Sequence, residues 1–122
     1  MDRVVHFELA AEDPERAAEF YRQAFGWVIK KWEGPTEYWL VTTGAEGEAG
    51  INGGILRQRE GAPQTIVTIA VESVDIAVQQ VLRCGGKVAL PKMAIPGVGY
   101  QAYCLDTEGT VIGIHQFDPS AK

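Results

Sequence analysis

The candidate ligands for a divalent metal ion are His6, Glu8 and His115. Two imidazoles and one carboxylate can hold a metal that keeps open coordination positions. Strand alternation places His6 and Glu8 on one face. Residues two apart in a strand, however, have Cα atoms about 6–7 Å apart, and all ligand atoms must lie about 2 Å from a single ion. The alternative interpretation is that these residues are polar groups in a cavity wall, with His115 near the open end of a sheet.

Aromatic side chains form a second group that could bind a flat or apolar molecule by stacking. Most of them are expected in the core or in a dimer interface, and two or three could line a cavity. We take three as candidate ligand-binding residues, and these are Trp39, Tyr100 and Tyr103.

An internal repeat determines where these residues lie. Val4–Gly26 and Ile66–Gly86 each read as a strand, a helix with an acidic start and a glycine stop, and a shift of 62 residues pairs His6 with Thr68. Two such copies in 122 residues must share one core. We therefore predict a single domain, with module one at about 1–57, a connector at 58–64 and module two at about 65–122.

Each module is predicted to fold as β-α-β-β-β, which makes the protein α+β. Asp13 can cap the first helix, Pro14 suits its first position and Gly26 suits its end. The predicted buried stripe of this helix consists of Ala17, Tyr21, Ala24 and Phe25. The proline- and glycine-rich segment 91–99 is predicted to be a loop.

Composition and charge exclude several classes of function. The net charge is -5, and the eleven Lys and Arg residues are scattered, which argues against a nucleic-acid partner. No apolar run approaches the roughly 20 residues of a membrane span, and no leader pattern precedes the first strand. Cys84 and Cys104 lack the spacing of a redox or metal motif, which suits a reducing compartment. We therefore expect a cytoplasmic protein that binds neither nucleic acid nor membrane.

Three segments within this order of elements resemble the vicinal oxygen chelate superfamily, the group of glyoxalase I, bleomycin-resistance proteins and extradiol dioxygenases. They are FYRQAFGW at 20–27, PGVGYQAYC at 96–104 and DTEGTVIGIHQ at 106–116. The resemblance covers essentially the whole chain, and it implies a curved mixed sheet around a cavity. Enzymatic members bind a divalent metal there, through one side chain near each module's first strand and one on each module's last strand.

Only one of these four implied ligand positions holds a metal ligand in this chain. His6 matches the histidine of the first strand. Thr68 stands where a second histidine is usual, Gly113 where a glutamate is usual, and Gly53 or Gly54 at the position in module one's last strand. A hydroxyl is a poor ligand for a divalent ion, and glycine offers no side chain. The resemblance therefore implies the fold without the usual metal chemistry.

We expect a glyoxalase- or bleomycin-resistance-like protein that binds a small apolar or aromatic molecule in its cavity and carries no metal cofactor. One alternative is a metal-dependent lyase, isomerase or dioxygenase, and the other is a structural or regulatory dimer with a filled cavity. Small members of the family commonly form homodimers, so the resemblance implies one here. The candidate ligand-binding residues are His6, Glu8, Trp39, Thr68, Tyr100, Tyr103, Gly113 and His115, and the candidate metal set is His6, Glu8 and His115.

Overall fold

The computed structural model describes all residues, 1–122, and contains eight strands and two helices. The predicted α+β class and the β-α-β-β-β order of both modules are confirmed. In chain order the elements are β1 (Arg3–Ala11), α1 (Pro14–Phe25), β2 (Val28–Lys31), β3 (Trp39–Thr42), β4 (Asn52–Arg57), β5 (Thr65–Ala70), α2 (Val74–Arg83), β6 (Lys87–Ile95), β7 (Gly99–Leu105) and β8 (Val111–Phe117).

The chain divides into two units. The amino-terminal unit is His6–Ile66, and the carboxy-terminal unit consists of Met1–Val5 together with Val67–Lys122. The strand order is β2-β3-β4-β1 in the first unit and β6-β7-β8-β5 in the second. In each unit the last pair, β1 with β4 or β5 with β8, is parallel, and the other pairs are antiparallel. The two repeats therefore share one topology.

Capping side chains fix the start of each helix. The Asp13 carboxylate accepts a hydrogen bond from the Arg16 backbone N–H, and the Ser73 hydroxyl accepts one from that of Ile76. Pro14 is the first residue of α1, and Gly26 ends it with a φ of 72°. The predicted start and stop signals of α1 are confirmed.

The predicted buried stripe of α1 is partly wrong. Ala18 is fully buried instead, whereas Ala24 and Phe25 are exposed. Ala18 packs against the sheet because its small side chain lets the helix lie close to β2, β3 and β4. Phe25, in the last turn, stacks on Tyr21 at the helix surface.

The predicted loop at 91–99 is also wrong, because β6 continues through Pro91 to Ile95. β6 is the outer strand of its unit, and an edge strand tolerates a residue without a backbone N–H. Its pairing with β7 shifts register between Val88 and Leu90 and again between Leu90 and Met93. These irregularities accommodate Pro91, and only the turn after Ile95 interrupts the hairpin.

Each unit has its own hydrophobic core between its helix and one face of its strands, so the expectation that the two copies share one core is wrong. The first consists of Ala18, Ile29, Trp39, Val41 and Ile55, and the second of Val71, Val74, Ala102, Cys104 and Ile114. Because side chains alternate along a strand, the opposite face of each sheet carries the remaining residues. Neither helix is long and apolar enough to cross a bilayer.

Candidate functional site

Each unit carries a group of polar residues on the sheet face that its helix does not cover. The group in the amino-terminal unit, called the His6 cluster below, consists of His6, Glu8, Tyr38 and Gly54. The group in the carboxy-terminal unit, called the Thr68 cluster, consists of Thr68, Gln101, Tyr103, Gly113 and His115. We describe the two clusters separately.

In the His6 cluster the Tyr38 ring fills the space above Gly54, a residue of β4 that has no side chain. Gly54 pairs with Glu8 in the parallel register of β1 and β4. A Cβ atom at Gly54 would overlap the Tyr38 ring, so Tyr38 occupies the space above this glycine. The Tyr38 hydroxyl lies 2.7 Å from His6 Nε2, and the two rings are inclined by only 14°. Gly54 therefore makes room for a phenol that binds His6.

The His6 imidazole is kept neutral by its surroundings. Burial lowers the pKa of His6 below its ordinary value of 6.5, and the nearby negative charge of Glu8 opposes this shift only in part. Glu8 itself is buried, at 8% exposure. A neutral imidazole has one donor and one acceptor nitrogen, so Nε2 can either donate to the Tyr38 oxygen or accept from its hydroxyl.

We predict that His6 makes stability fall as the pH drops through about 6.5. Below this value the unfolded chain binds a proton at His6 that the folded chain resists, so protonation favours unfolding until the lowered folded pKa is also passed. Urea unfolding at pH 7.5 and 5.5 should show a smaller loss of stability for His6→Gln than for the parent protein. An equal loss in both proteins would contradict the assignment.

In the Thr68 cluster two polar atoms lie over a glycine. Gly113 pairs with Thr68 on β5 and with Tyr103 on β7. A Cβ atom at Gly113 would lie 2.6 Å from Thr68 Oγ1 and 3.0 Å from Gln101 Nε2. The hydroxyl and the amide therefore approach one point above Gly113.

A buried histidine holds the amide of this cluster. His115 Nδ1 lies 2.7 Å from Gln101 Oε1, and both residues are less than 10% exposed. Because the amide oxygen can only accept, His115 Nδ1–H donates, and the Gln101 NH₂ group is left pointing over Gly113. The Thr68 hydroxyl oxygen is buried without a hydrogen-bond partner.

Exposed apolar side chains surround the Thr68 cluster. Leu90 pairs with Tyr103, Met93 pairs with Gln101, and the Phe117 ring contacts His115 edge-on with a centroid separation of 4.5 Å. Their exposed fractions range from 41% for Met93 to 66% for Phe117. The cluster is therefore a polar centre with an apolar border, on strands of a single unit.

Two of the candidate aromatic residues lie on the helix side of their sheets, which corrects their grouping with His6 and Thr68. Trp39 is buried in the first core, and its indole N–H donates to Glu15 on α1 at 2.8 Å. Tyr100 packs against the second core, with the Lys92 ammonium 4.6 Å from its ring centroid. Trp39 and Tyr100 therefore lie on the sheet face opposite to the clusters, where their rings pack in or against the cores.

Tyr38 and Gln101 belong to the clusters but were not among the candidates from the sequence. Gln101 could have been found, because it stands two residues before Tyr103 and strand alternation puts both on one face. Tyr38 precedes β3, and its contact with His6 spans 32 residues of chain. No local pattern signals that contact.

No group of three or more His, Cys, Asp or Glu side chains is arranged to hold a metal ion. In addition, His6 Nε2 is within hydrogen-bond distance of Tyr38, and His115 Nδ1 of Gln101. The metal set of His6, Glu8 and His115 stays a prediction that metal analysis can test.

Two surface depressions lie away from the clusters. One, of about 360 Å³, is bordered by the start of α1 together with Phe20 and Tyr21. The other, of about 480 Å³, lies among the loop residues 42–50 and Asn52. Neither is lined by a residue of the His6 or Thr68 cluster.

The chain is similar to one described protein family and to a named mycobacterial protein. The family described as "Bleomycin resistance protein-like N-terminal" matches residues 3–44. The protein named "Putative glyoxylase CFP32" of Mycobacterium tuberculosis is 31% identical over 113 residues, which are 89% of this chain and 43% of that protein. The chain thus spans less than half the length of this relative.

Solved structures with low sequence identity share the fold. A hypothetical protein, BH1468 from Bacillus halodurans, superposes with a TM-score of 0.74 at 12% identity, over 99% of this chain and 98% of that one. Methylmalonyl-CoA epimerase from Mycobacterium tuberculosis superposes with a TM-score of 0.71 at 13% identity, over 95% of this chain and 88% of that one. At these identities the likeness concerns the fold alone.

Proposed function

Because the chain belongs to the vicinal oxygen chelate superfamily, we propose that it is a glyoxalase- and bleomycin-resistance-like protein that binds a small apolar or aromatic molecule without a metal ion. The observation that carries this proposal is the Thr68 cluster, a buried polar centre bordered by exposed apolar side chains. Small-molecule sites combine a mostly apolar lining with a few placed polar groups. Phe117, Met93 and Leu90 supply the apolar surface.

The donor atoms at the family's ligand positions support binding without a metal. In the amino-terminal unit these positions hold His6, whose Nε2 faces the Tyr38 hydroxyl, and a glycine, Gly54, whose space Tyr38 fills. In the carboxy-terminal unit they hold Thr68 and Gly113, a hydroxyl and no side chain. Divalent metals in enzymes prefer imidazole, thiolate and carboxylate ligands. The residues present therefore do not fit the family's metal.

A homodimer and a cytoplasmic location are part of the same proposal. The outer strands β2 and β6 leave unpaired backbone groups at the edge of each unit, which favours pairing with another chain. The exposed Cys84 and the buried Cys104 are both free thiols, as suits a reducing compartment.

We predict that 2-ethylnaphthalene, an apolar aromatic probe, binds beside Phe117. Phe117→Ala should weaken binding about fivefold, because an aromatic contact contributes on the order of 1 kcal/mol. Phe25→Ala is the matched control, since Phe25 on α1 is 65% exposed and Phe117 is 66% exposed. The measurement is a titration of backbone amide shifts by NMR, repeated with EDTA.

The expected shifts occur on β7 and β8, depend on Phe117 and are unchanged by EDTA. Loss of binding with EDTA would support the metal-dependent alternative over this proposal. Absence of any shift, together with a dimer by light scattering, would favour the structural dimer instead.

A further inference from the structure

We infer that the Thr68 cluster recognises an uncharged carbonyl oxygen on its ligand, with the Thr68 hydroxyl and the Gln101 amide as the two hydrogen-bond donors. This inference rests on the proposed function, because it names the chemical class of the molecule bound at the same site. It is carried by the burial and direction of these two groups and by the absence of Lys, Arg, Asp and Glu from strands β5, β7 and β8.

The Thr68 hydroxyl is the strongest indication of a missing partner. The residue is only 3% exposed, yet its Oγ1 atom makes no hydrogen bond within the protein. A buried polar group left without a partner destabilises the fold, and native structures contain few of them. A ligand oxygen that accepts a hydrogen bond from this hydroxyl would remove that cost.

The Gln101 amide supplies a second donor at the same point. Its oxygen accepts from His115, so the orientation of the amide is set by a buried neighbour and the NH₂ group faces the region above Gly113. No side chain from position 113 separates the amide from Thr68. Both groups lie on the same side of Gly113, and a carbonyl oxygen has two lone pairs with which it could accept from both.

The surroundings favour an uncharged oxygen over a carboxylate. Strands β5, β7 and β8 contain no Lys, Arg, Asp or Glu residue. Lys92 of β6 is directed to the helix side, where its ammonium group lies 3.0 Å from Asp75. Lys87, the other cation of β6, pairs with Leu105, four residues along β7 from Gln101. Burying a carboxylate without a cation is strongly unfavourable, whereas a neutral carbonyl needs only hydrogen-bond donors.

Three probes of similar shape separate these possibilities: 2-acetonaphthone has a neutral carbonyl, 2-naphthoate has a carboxylate, and 2-ethylnaphthalene has no acceptor. We expect the ketone to bind about five- to tenfold more tightly than the hydrocarbon, since a net hydrogen bond is worth about 0.5–1.5 kcal/mol. We expect the carboxylate to bind most weakly. The Gln101 side-chain amide resonance should shift more with the ketone than with the hydrocarbon.

Thr68→Val removes the hydroxyl at nearly constant shape, and Thr68→Ser retains it. The ketone should lose most of its advantage over the hydrocarbon in Thr68→Val and keep it in Thr68→Ser. Thr65→Val is the control, because Thr65 is an exposed residue at the start of the same strand. It should change neither affinity.

The outcomes distinguish this inference from the proposed function. If the ketone and the hydrocarbon bind equally, or the carboxylate binds best, the inference is overturned while binding of an apolar molecule stands. The inference is also overturned if Thr68→Val leaves the ketone advantage intact. If none of the three probes binds, the proposed function fails, and the inference fails with it.

Discussion

Gly53→Ala is expected to lower the free energy of unfolding by about 3 kcal/mol or more. Gly53 pairs with Phe7 in the β1 and β4 register, and a Cβ atom there would overlap the Phe7 backbone carbonyl oxygen and ring. Overpacking of a well-packed core typically costs about 1–3 kcal/mol, and a clash with backbone lies at or above that range because β1 cannot move without losing its ladder. Urea unfolding followed by circular dichroism measures the change.

The neighbouring glycine provides the matched control. The atoms nearest to a Cβ atom at Gly54 are those at the end of the Tyr38 side chain, which can swing away at the cost of its contact with His6. We therefore expect Gly54→Ala to cost distinctly less than Gly53→Ala. In a Tyr38→Ala background the added cost of Gly54→Ala should nearly vanish, because the obstructing ring is absent. Equal costs for the two glycine variants would show that the Tyr38 side chain cannot move away. An unchanged cost of Gly54→Ala in the Tyr38→Ala background would show that Tyr38 does not fill the space above Gly54.

Gly113→Ala is expected to destabilise the carboxy-terminal unit by about 1–3 kcal/mol. The new methyl group would lie 2.6 Å from Thr68 Oγ1 and 3.0 Å from Gln101 Nε2. Thr68 is branched at Cβ and buried, so its hydroxyl has few alternative positions. The same methyl group would displace both proposed donors, so the variant should also lose the preference for the ketone probe.

A double-mutant cycle tests whether Thr68 is the obstruction. In a Thr68→Ala background the methyl group at position 113 no longer meets the hydroxyl, so we expect Gly113→Ala to cost about 1 kcal/mol less there. The rescue should be partial, because Thr68 Cβ would still lie 3.3 Å from the new atom. Additive costs in the cycle would contradict the close approach of Thr68 to Gly113.

The sequence predicted local structure well where single residues carry the signal. Asp13, Pro14 and Gly26 mark the limits of α1, and the structure confirms all three. The prediction of a loop at Pro91 was wrong, because proline and glycine usually indicate a loop. An edge strand tolerates proline, and only the folded sheet shows that β6 lies at an edge. Strand parity put His115 on the face of Gly113, and the repeat aligned Thr68 with His6. In the structure Trp39 and Tyr100 lie on the opposite, helix-covered face of their sheets.

By itself the sequence determined the repeat, the order of the elements and which residues share a face, since these depend on periodicity and on local backbone preference. Only the tertiary structure decided that Tyr38 covers Gly54 and that Gln101 and Thr68 approach each other over Gly113. It also showed that the Thr68 hydroxyl is buried without a partner. These facts depend on distances between side chains from different strands and loops, and neither propensity nor spacing along the chain determines such distances.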